Sequence, residues 1–469
     1  MLTYTFEKHS GVSLYEQLYR HIKEDILSGR LAAGEKLPSK RTLSSHLELS
    51  VITVKNAYEQ LIAEGYIYSQ EKRGYFVSRI DHPLHPGKAN TLPQREEEPT
   101  YELDLVTNSI SAEYFPFTVW SKTMRQTILE QDTDLLQPPP FNGARSLRCA
   151  IADNLQQFLG MTVDPEQIVI GAGTEFLYYL LIQLLGRDRT YAVEDPGYGK
   201  IGRIYESNQV TLRRIALDEA GLSADALRQS GADVVHISPS HHYPTGIVMP
   251  IARRQELLRW ADEQPGRYIL EDDYDSEFRF VGRPIPTMFS TDRHERVIYL
   301  NTFSKTIAPS IRISYMILPL HLLEEYRSRL SFYACTVSSF EQHTLAAFMA
   351  QGRYEQHINR MRNRYRQKRD AVIDAIRTGP LGGRVEILEQ DAGLHFLLRL
   401  DTKMTDDALR RAAAEKGVRL ALLSDYYDSP AAAPQHVVVV NYSGIELEAL
   451  RRGLVRLAEL WEDETCTMN

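Results

Sequence analysis

Leu14, Leu18, Ile22 and Ile26 recur at helical spacing in SLYEQLYRHIKEDILS, which predicts an amphipathic helix over 13–28. Ser13 is placed to cap it, with Glu16 three positions on as a capping-box partner, and Gly29 closes it. The following stretch, GRLAAGEKLPS, has no period and predicts an irregular connection ending at Pro38. Ser39 and Ser50 then stand before two further helices, KRTLSSHLEL and VITVKNAYEQLIAEG, the second with Val54, Ala57, Tyr58 and Leu61 on its inward face. YIYSQ, EKRG and YFVSR read as a hairpin with a basic tip.

The pattern then breaks. Residues 81–100 hold four prolines and neither a helical nor a strand period, so they predict an extended linker. From about 104 onward apolar strands alternate with helices. QIVIGAG (167–173) runs into the helix TEFLYYLLIQLLG, and TYAVEDPGY (190–198), DVVHISPSHHYPTG (233–246), RYILEDDY (267–274) and RVIYLNTFSK (296–305) follow as further strands with turns. Each run ends in Gly, Pro or polar residues, as in a parallel α/β sheet whose carboxyl edge gathers ligand-binding loops.

Composition narrows the class. A chain of 469 residues is too long for one ordinary core, and 43% hydrophobic with 25% charged residues is a globular balance. No apolar run reaches the roughly 20 residues of a membrane span, and MLTYTFEKHS lacks a signal-peptide pattern. Cys149, Cys335 and Cys466 are too few and too scattered for a disulfide framework or a metal site, so the expected setting is reducing and cytoplasmic, without membrane or metal. Net charge is −8 but uneven. Residues 1–80 carry 11 Lys+Arg against 9 Asp+Glu, a net of +2; residues 81–469 carry 43 against 53, a net of −10. Only the first part is suited to touching phosphates.

Helix, short helix, helix and hairpin in that order describe a winged helix-turn-helix. Its third helix is the one to enter a major groove, with Thr53, Lys55 and Asn56 able to reach bases or phosphates. Lys40 and Arg41 open the second helix, and Lys72 and Arg73 sit at the wing tip. Taken singly, each of these charges reads equally well as a solvated surface group. The chemistry of the second part lies in YLNTFSKTIAPSIRISY (299–315) and EDDYDSEF (271–278). A lysine in a small polar turn, an arginine seven residues on and an upstream acidic cluster are the parts that hold pyridoxal phosphate (PLP): Lys305 for the Schiff base, Arg312 for the phosphate, a carboxylate for the pyridine nitrogen. Asp272 and Asp273 are adjacent, so only one faces the ring and the other is free to cap a turn. A dinucleotide loop is excluded, because GAGTEF lacks the third glycine of that motif.

The stretch PSKRTLSSHLELSVITVKNAYEQLIAEGYIYSQEKRGYFV resembles the winged-helix domain of the GntR superfamily, and GAGTE, EDPGY, SPSHHYPTG, EDDYDSEF and TFSKTIAPSIRISY in this order are similar to the fold-type I aminotransferases. Together they resemble the MocR/GabR-type regulators from about residue 10 to 460. The resemblance implies a multidomain chain: an α+β winged helix-turn-helix at 1–80, a proline-containing linker at 81–103, and at 104–469 an α/β aspartate aminotransferase-like domain with a smaller C-terminal subdomain. It implies that Lys305 carries PLP, Asp272 pairs with the pyridine nitrogen, Tyr274 reaches the phenolic oxygen and Tyr198 lies against the ring. Gly173, Thr174, Thr302, Ser304 and Arg312 would form the phosphate cup, the first two at a helix N-terminus. It also implies a homodimer, head-to-tail in one arrangement, on double-stranded operator DNA.

One part of the family pattern is missing. GABA-responsive members carry two carboxylate-binding arginines; the corresponding positions here are Lys200 and Gly444, and residues 431–450 contain no arginine before Arg451. GABA is therefore disfavoured as the ligand, and Lys200, Arg203 or a residue of a partner subunit is left to meet a carboxylate. The expected function is a PLP-dependent transcriptional regulator sensing an amino acid, a D-amino acid, a dipeptide or PLP itself. An active aminotransferase carrying an accessory DNA-binding domain is the alternative, and a scaffold without cofactor chemistry is a third reading that the Lys305 and Asp272 pair opposes.

Overall fold

The structure is a computed structural model that describes residues 2–7, 11–80, 100–107, 112–282 and 285–466. It divides into two units, Met1–Glu98 and Pro99–Asn469. Most of the predicted linker, residues 81–99, lies outside the described residues.

In the first unit α1 (Leu14–Leu27), α2 (Lys40–Leu47) and α3 (Val51–Ala63) enclose a core of Leu18, Ile22, Leu43, Val54, Tyr58 and Leu61. Ser39 and Ser50 act as N-caps, accepting from the Thr42 and Thr53 amides at 3.2 and 3.0 Å. Three expectations fail. Ser13 makes no side-chain cap, and Glu16, its expected capping-box partner, pairs with Arg20 on its own helix face at 2.5 Å. The connection after α1 is not wholly irregular: β1 (Lys36–Leu37) adds to the hairpin of β2 (Ile67–Gln70) and β3 (Gly74–Val77), giving a three-stranded antiparallel sheet in the order β1-β3-β2. α2 also stops two residues early, where Glu48 turns into the left-handed region at φ 53°.

The second unit begins with β4 (Leu103–Asp104), which pairs in parallel with β15 (Val418–Arg419). Its main sheet has eight strands: β5 (Ile168–Gly171), β6 (Thr190–Asp195), β7 (Thr211–Asp218), β8 (Gly221–Leu222), β9 (Val234–Ile237), β10 (Tyr268–Asp272), β11 (Val297–Thr302) and β12 (Ser314–Ile317). Their order is β5-β12-β11-β10-β9-β6-β7-β8. β12 runs antiparallel to both of its neighbours and β8 to β7; the remaining pairs are parallel. The five strands expected from apolar runs form β5, β6, β9, β10 and β11. β5, β9, β10 and β11 are buried along their whole length, as a sheet covered by helices requires, and β6 is buried at Tyr191, Ala192 and Val193. A smaller antiparallel sheet, β13 (Val385–Leu388), β14 (His395–Leu400) and β16 (Val437–Asn441), packs with the helices Arg353–Thr378 and Leu447–Cys466 around Phe396, Val440, Leu450 and Leu454.

Candidate functional site

The carboxyl ends of β6, β9, β10 and β11 and the start of the helix Thr174–Leu185 border a cavity of about 780 Å³. This is the edge where an α/β sheet binds ligands. Lys305, Asp272, Tyr274, Tyr198, Thr174, Thr302, Ser304 and Arg312 all line it, drawn from positions up to 138 residues apart in the sequence. Gly173 precedes Thr174 as the N-cap of that helix, at φ 91°. A Cβ there would lie 2.1 Å from the Arg312 guanidinium, so only glycine lets Arg312 cross this turn.

Asp272, at the end of β10, is 5% exposed. Its Oδ2 accepts from the Tyr178 hydroxyl at 2.5 Å and lies 3.3 Å from His236 Nε2. A carboxylate only accepts, so His236 presents its Nε2 proton to Asp272, and its Nδ1 is paired with the Tyr205 hydroxyl at 2.9 Å. The other oxygen, Oδ1, is buried without a hydrogen-bond partner among the described residues. A buried acceptor left open is costly unless a donor meets it. A protonated ring nitrogen is such a donor, and the Asp272 carboxylate fits it. Asp273 points elsewhere, accepting from Tyr299 and Ser276 at 2.7 and 2.8 Å, so it is the one that shapes the turn.

Lys305 follows β11 and is half-buried. Burial pushes its pKa down, against the opposing charge of Asp275. A lowered pKa raises the share of neutral amine, the form that attacks a carbonyl. Asp275 is itself held by His241 Nδ1 at 2.9 Å. Tyr274 is half-buried with its hydroxyl 3.4 Å from the same His241 nitrogen, whereas Tyr198 is 50% exposed. Thr302 Oγ1 accepts from the Ser304 amide at 3.1 Å and from the Ser314 hydroxyl at 2.8 Å, which fixes the turn before Lys305.

Arg312, in the left-handed region at φ 51°, donates to Glu175 Oε2 at 2.5 Å. Lys200 pairs with the other oxygen of Glu175. Burial raises the Glu175 pKa, but the Lys200 hydrogen bond and the charges of Arg312 and Lys200 outweigh it and hold the carboxyl below its ordinary value. Arg203 also lines the cavity and carries no ion pair among the described residues.

The sequence had not singled out Tyr178, His236, Asp275 or Glu175. Two signals were present: a polar hydroxyl on the otherwise apolar helix FLYYLLIQLL, and a histidine inside the apolar strand VVHI.

In the first unit, Lys55 and Asn56 are exposed near the start of α3, with Lys55 3.6 Å from Glu59. Thr53 is half-buried and its hydroxyl is tied to the Ser50 cap at 2.8 Å. Val51 and Ile52, not expected as surface residues, are 46% and 69% exposed on the first turn. Lys40 places its ammonium 5.3 Å from the Tyr75 ring centre; Arg41, Lys72 and Arg73 are exposed, Lys72 at φ 58° in the β2–β3 turn. No helix among the described residues is long and apolar enough to cross a membrane.

Residues 103–427 match the aminotransferase class I and II family, and residues 14–77 match the bacterial regulatory proteins of the gntR family. The HTH-type transcriptional regulator YdeL of Bacillus subtilis (strain 168) is 38% identical over 96% of this chain and 97% of its own length. The probable rhizopine catabolism regulatory protein MocR of Rhizobium meliloti is 29% identical over 96% of this chain and 94% of its own. Among solved structures, the kynurenine aminotransferase of Pyrococcus horikoshii has a TM-score of 0.68 at 25% identity, covering 78% of this chain and 92% of that one.

Proposed function

The chain belongs to the MocR family of HTH-type transcriptional regulators, a GntR-type winged helix joined to an aminotransferase class I and II domain, and from that premise we propose that it binds PLP at Lys305 and regulates transcription in response to an amine-bearing effector or to PLP itself. The observation that carries the reading is the buried Asp272 carboxylate, with one oxygen held by Tyr178 and His236 and the other open, in the cavity that Lys305 lines.

When bound, PLP supplies an aldehyde that amines attack and a ring that withdraws electrons. Lys305 holds it covalently through an amine kept reactive by burial. Asp272 would accept from the ring nitrogen, Tyr274 would serve the phenolic oxygen and Tyr198 would lie against the ring. Gly173, Thr174, Thr302, Ser304 and Arg312 hold the phosphate, with the helix Thr174–Leu185 offering its N-terminal amides. Lys305 would be the residue that holds the group, and an effector amine would compete with the Lys305 amine for it. An amino acid, a D-amino acid or a dipeptide would meet Lys200 or Arg203 with its carboxylate. The winged helix then reads operator DNA through Lys40, Arg41, Thr53, Lys55, Asn56, Lys72 and Arg73, and a homodimer presents two such modules to two half-sites.

The test is visible absorption of the purified chain with PLP, borohydride trapping, and mass spectrometry of the labelled peptide. Attachment at Lys305, lost in Lys305→Ala and weakened in Asp272→Asn, supports the reading. A Lys305→Ala protein that keeps both PLP and promoter response overturns it. A panel of amino acids, D-amino acids and dipeptides then separates two outcomes. A lasting band shift without keto acid identifies a sensor, and sustained keto-acid release identifies an aminotransferase carrying an accessory DNA-binding domain.

A further inference from the structure

Glu175 occupies a conspicuous place in the phosphate cup. It is the second residue of the helix Thr174–Leu185, where free amides and the helix dipole favour an anion. Its two oxygens take the two cations that approach this end of the helix, Arg312 at 2.5 Å and Lys200. Arg312 reaches this end of the helix by crossing Gly173, where its guanidinium as placed leaves no room for a Cβ. The side chains of Arg312 and Glu175 are 48% and 36% exposed, so both ends of the pair are open to an incoming anion. A phosphate that uses Arg312 must therefore share it with a carboxylate or displace that carboxylate, and the two anions repel at close range. Lys200 gives Glu175 somewhere to remain when Arg312 is taken, so displacement does not strand a charge.

Resting on the PLP reading above, we infer that Glu175 is an internal competitor for the cofactor phosphate, weakening PLP binding without touching the ring or Lys305. It is a specificity residue: it acts on ligands that bring a phosphate and is indifferent to those that do not. A regulator that must release as well as bind its cofactor gains from such a residue, because the apparent affinity is brought down while the ring contacts stay intact.

The experiment compares PLP with pyridoxal, which has the same ring and aldehyde but no phosphate. Equilibrium binding of both is followed by absorption on the full chain and on Glu175→Gln and Glu175→Ala. PLP should bind both variants roughly three- to tenfold more tightly, the scale of one partly exposed charge interaction, with pyridoxal unchanged. A carboxylate that only supports the helix start would lower thermal stability and leave the ratio of the two affinities where it was, which overturns the inference. So does equal or weaker PLP binding by both variants, or equal tightening of pyridoxal. If the unaltered chain binds no PLP at all, the proposed function falls and this inference with it; PLP binding without a gain in the variants removes this inference alone.

Discussion

Glu194, next to last in β6, has a side chain 8% exposed, and burial pushes its pKa up to about 8; the Ser238 amide opposes the shift and the charge of Asp272 adds to it. Burial likewise pushes Glu271 up to about 7. A carboxyl whose folded pKa lies above its unfolded value holds a proton in the native state that the unfolded chain releases near 4.5. Its contribution is present at low pH and is lost as pH rises from there to about 8, by at most about 1.4 kcal/mol per pH unit for one such group. Glu194→Gln keeps an acceptor for Ser238 and removes the titration. Urea unfolding at pH 6 and at pH 8 should therefore show the variant losing less stability between the two than the parent; equal losses would clear Glu194 of this role. At the same scale, Lys305, Arg312 and the 271–278 acidic run were legible in the sequence because each lies in a short motif set by chain-local geometry. Tyr178 and His236 were not, since they reach Asp272 across 94 and 36 residues and acquire their roles only from the packing of separate elements. Two identical neighbours do not themselves say which of Asp272 and Asp273 faces the cavity, and only the family resemblance singled out Asp272.

Elements were readable where an apolar run ends in a turn signal and hidden where charge or brevity masks the run. β5, β6, β9, β10 and β11 are apolar runs, and the alternation with helices announces them. β7 carries TLRRIALD, mostly exposed toward the β8 edge of the sheet, and its charges mask the strand. β12 is only four residues long, and its antiparallel direction follows from the turn at Arg312, on which hydrophobic period is silent. β1 is two residues and exists only because β3 lies beside it. In the winged helix the caps at Ser39 and Ser50 were legible and formed, whereas Ser13, placed as plausibly before its helix, makes no side-chain cap. The exposed cations of α3 and of the β2–β3 turn carry a prediction of their own. Lys55→Ala with Arg73→Ala should weaken operator binding and lower the slope of log affinity against log salt by about 0.9 for each phosphate that is no longer neutralised. Fluorescence anisotropy across a salt series reads both quantities. An unchanged slope would mean that neither side chain neutralises a phosphate.

For the whole molecule, the sequence places a mildly basic DNA-binding part, net +2, before an acidic part, net −10, and the family assignment gives each a class of ligand. Charge alone makes the second part an obstacle near DNA, so any benefit of joining the two has to come from coupled binding. Coupling of this kind is a free energy shared by both sites. If saturation with PLP changes operator affinity by some factor, operator DNA must change PLP affinity by that same factor, whichever way regulation runs. A ligand with equal affinity for both states of the chain shifts nothing, however tightly it binds. The measurement is therefore a closed cycle: operator affinity with and without saturating PLP, and PLP affinity with and without saturating operator. Couplings typically amount to about 1–3 kcal/mol, or roughly 5- to 150-fold, well within reach of both titrations. Matching factors above one place sensing and DNA reading in a single two-state equilibrium. A factor of one on both sides would mean that PLP is a fixed structural component, and the signal would then have to enter with the amine-bearing effector, for which the same cycle can be closed on the PLP-loaded chain.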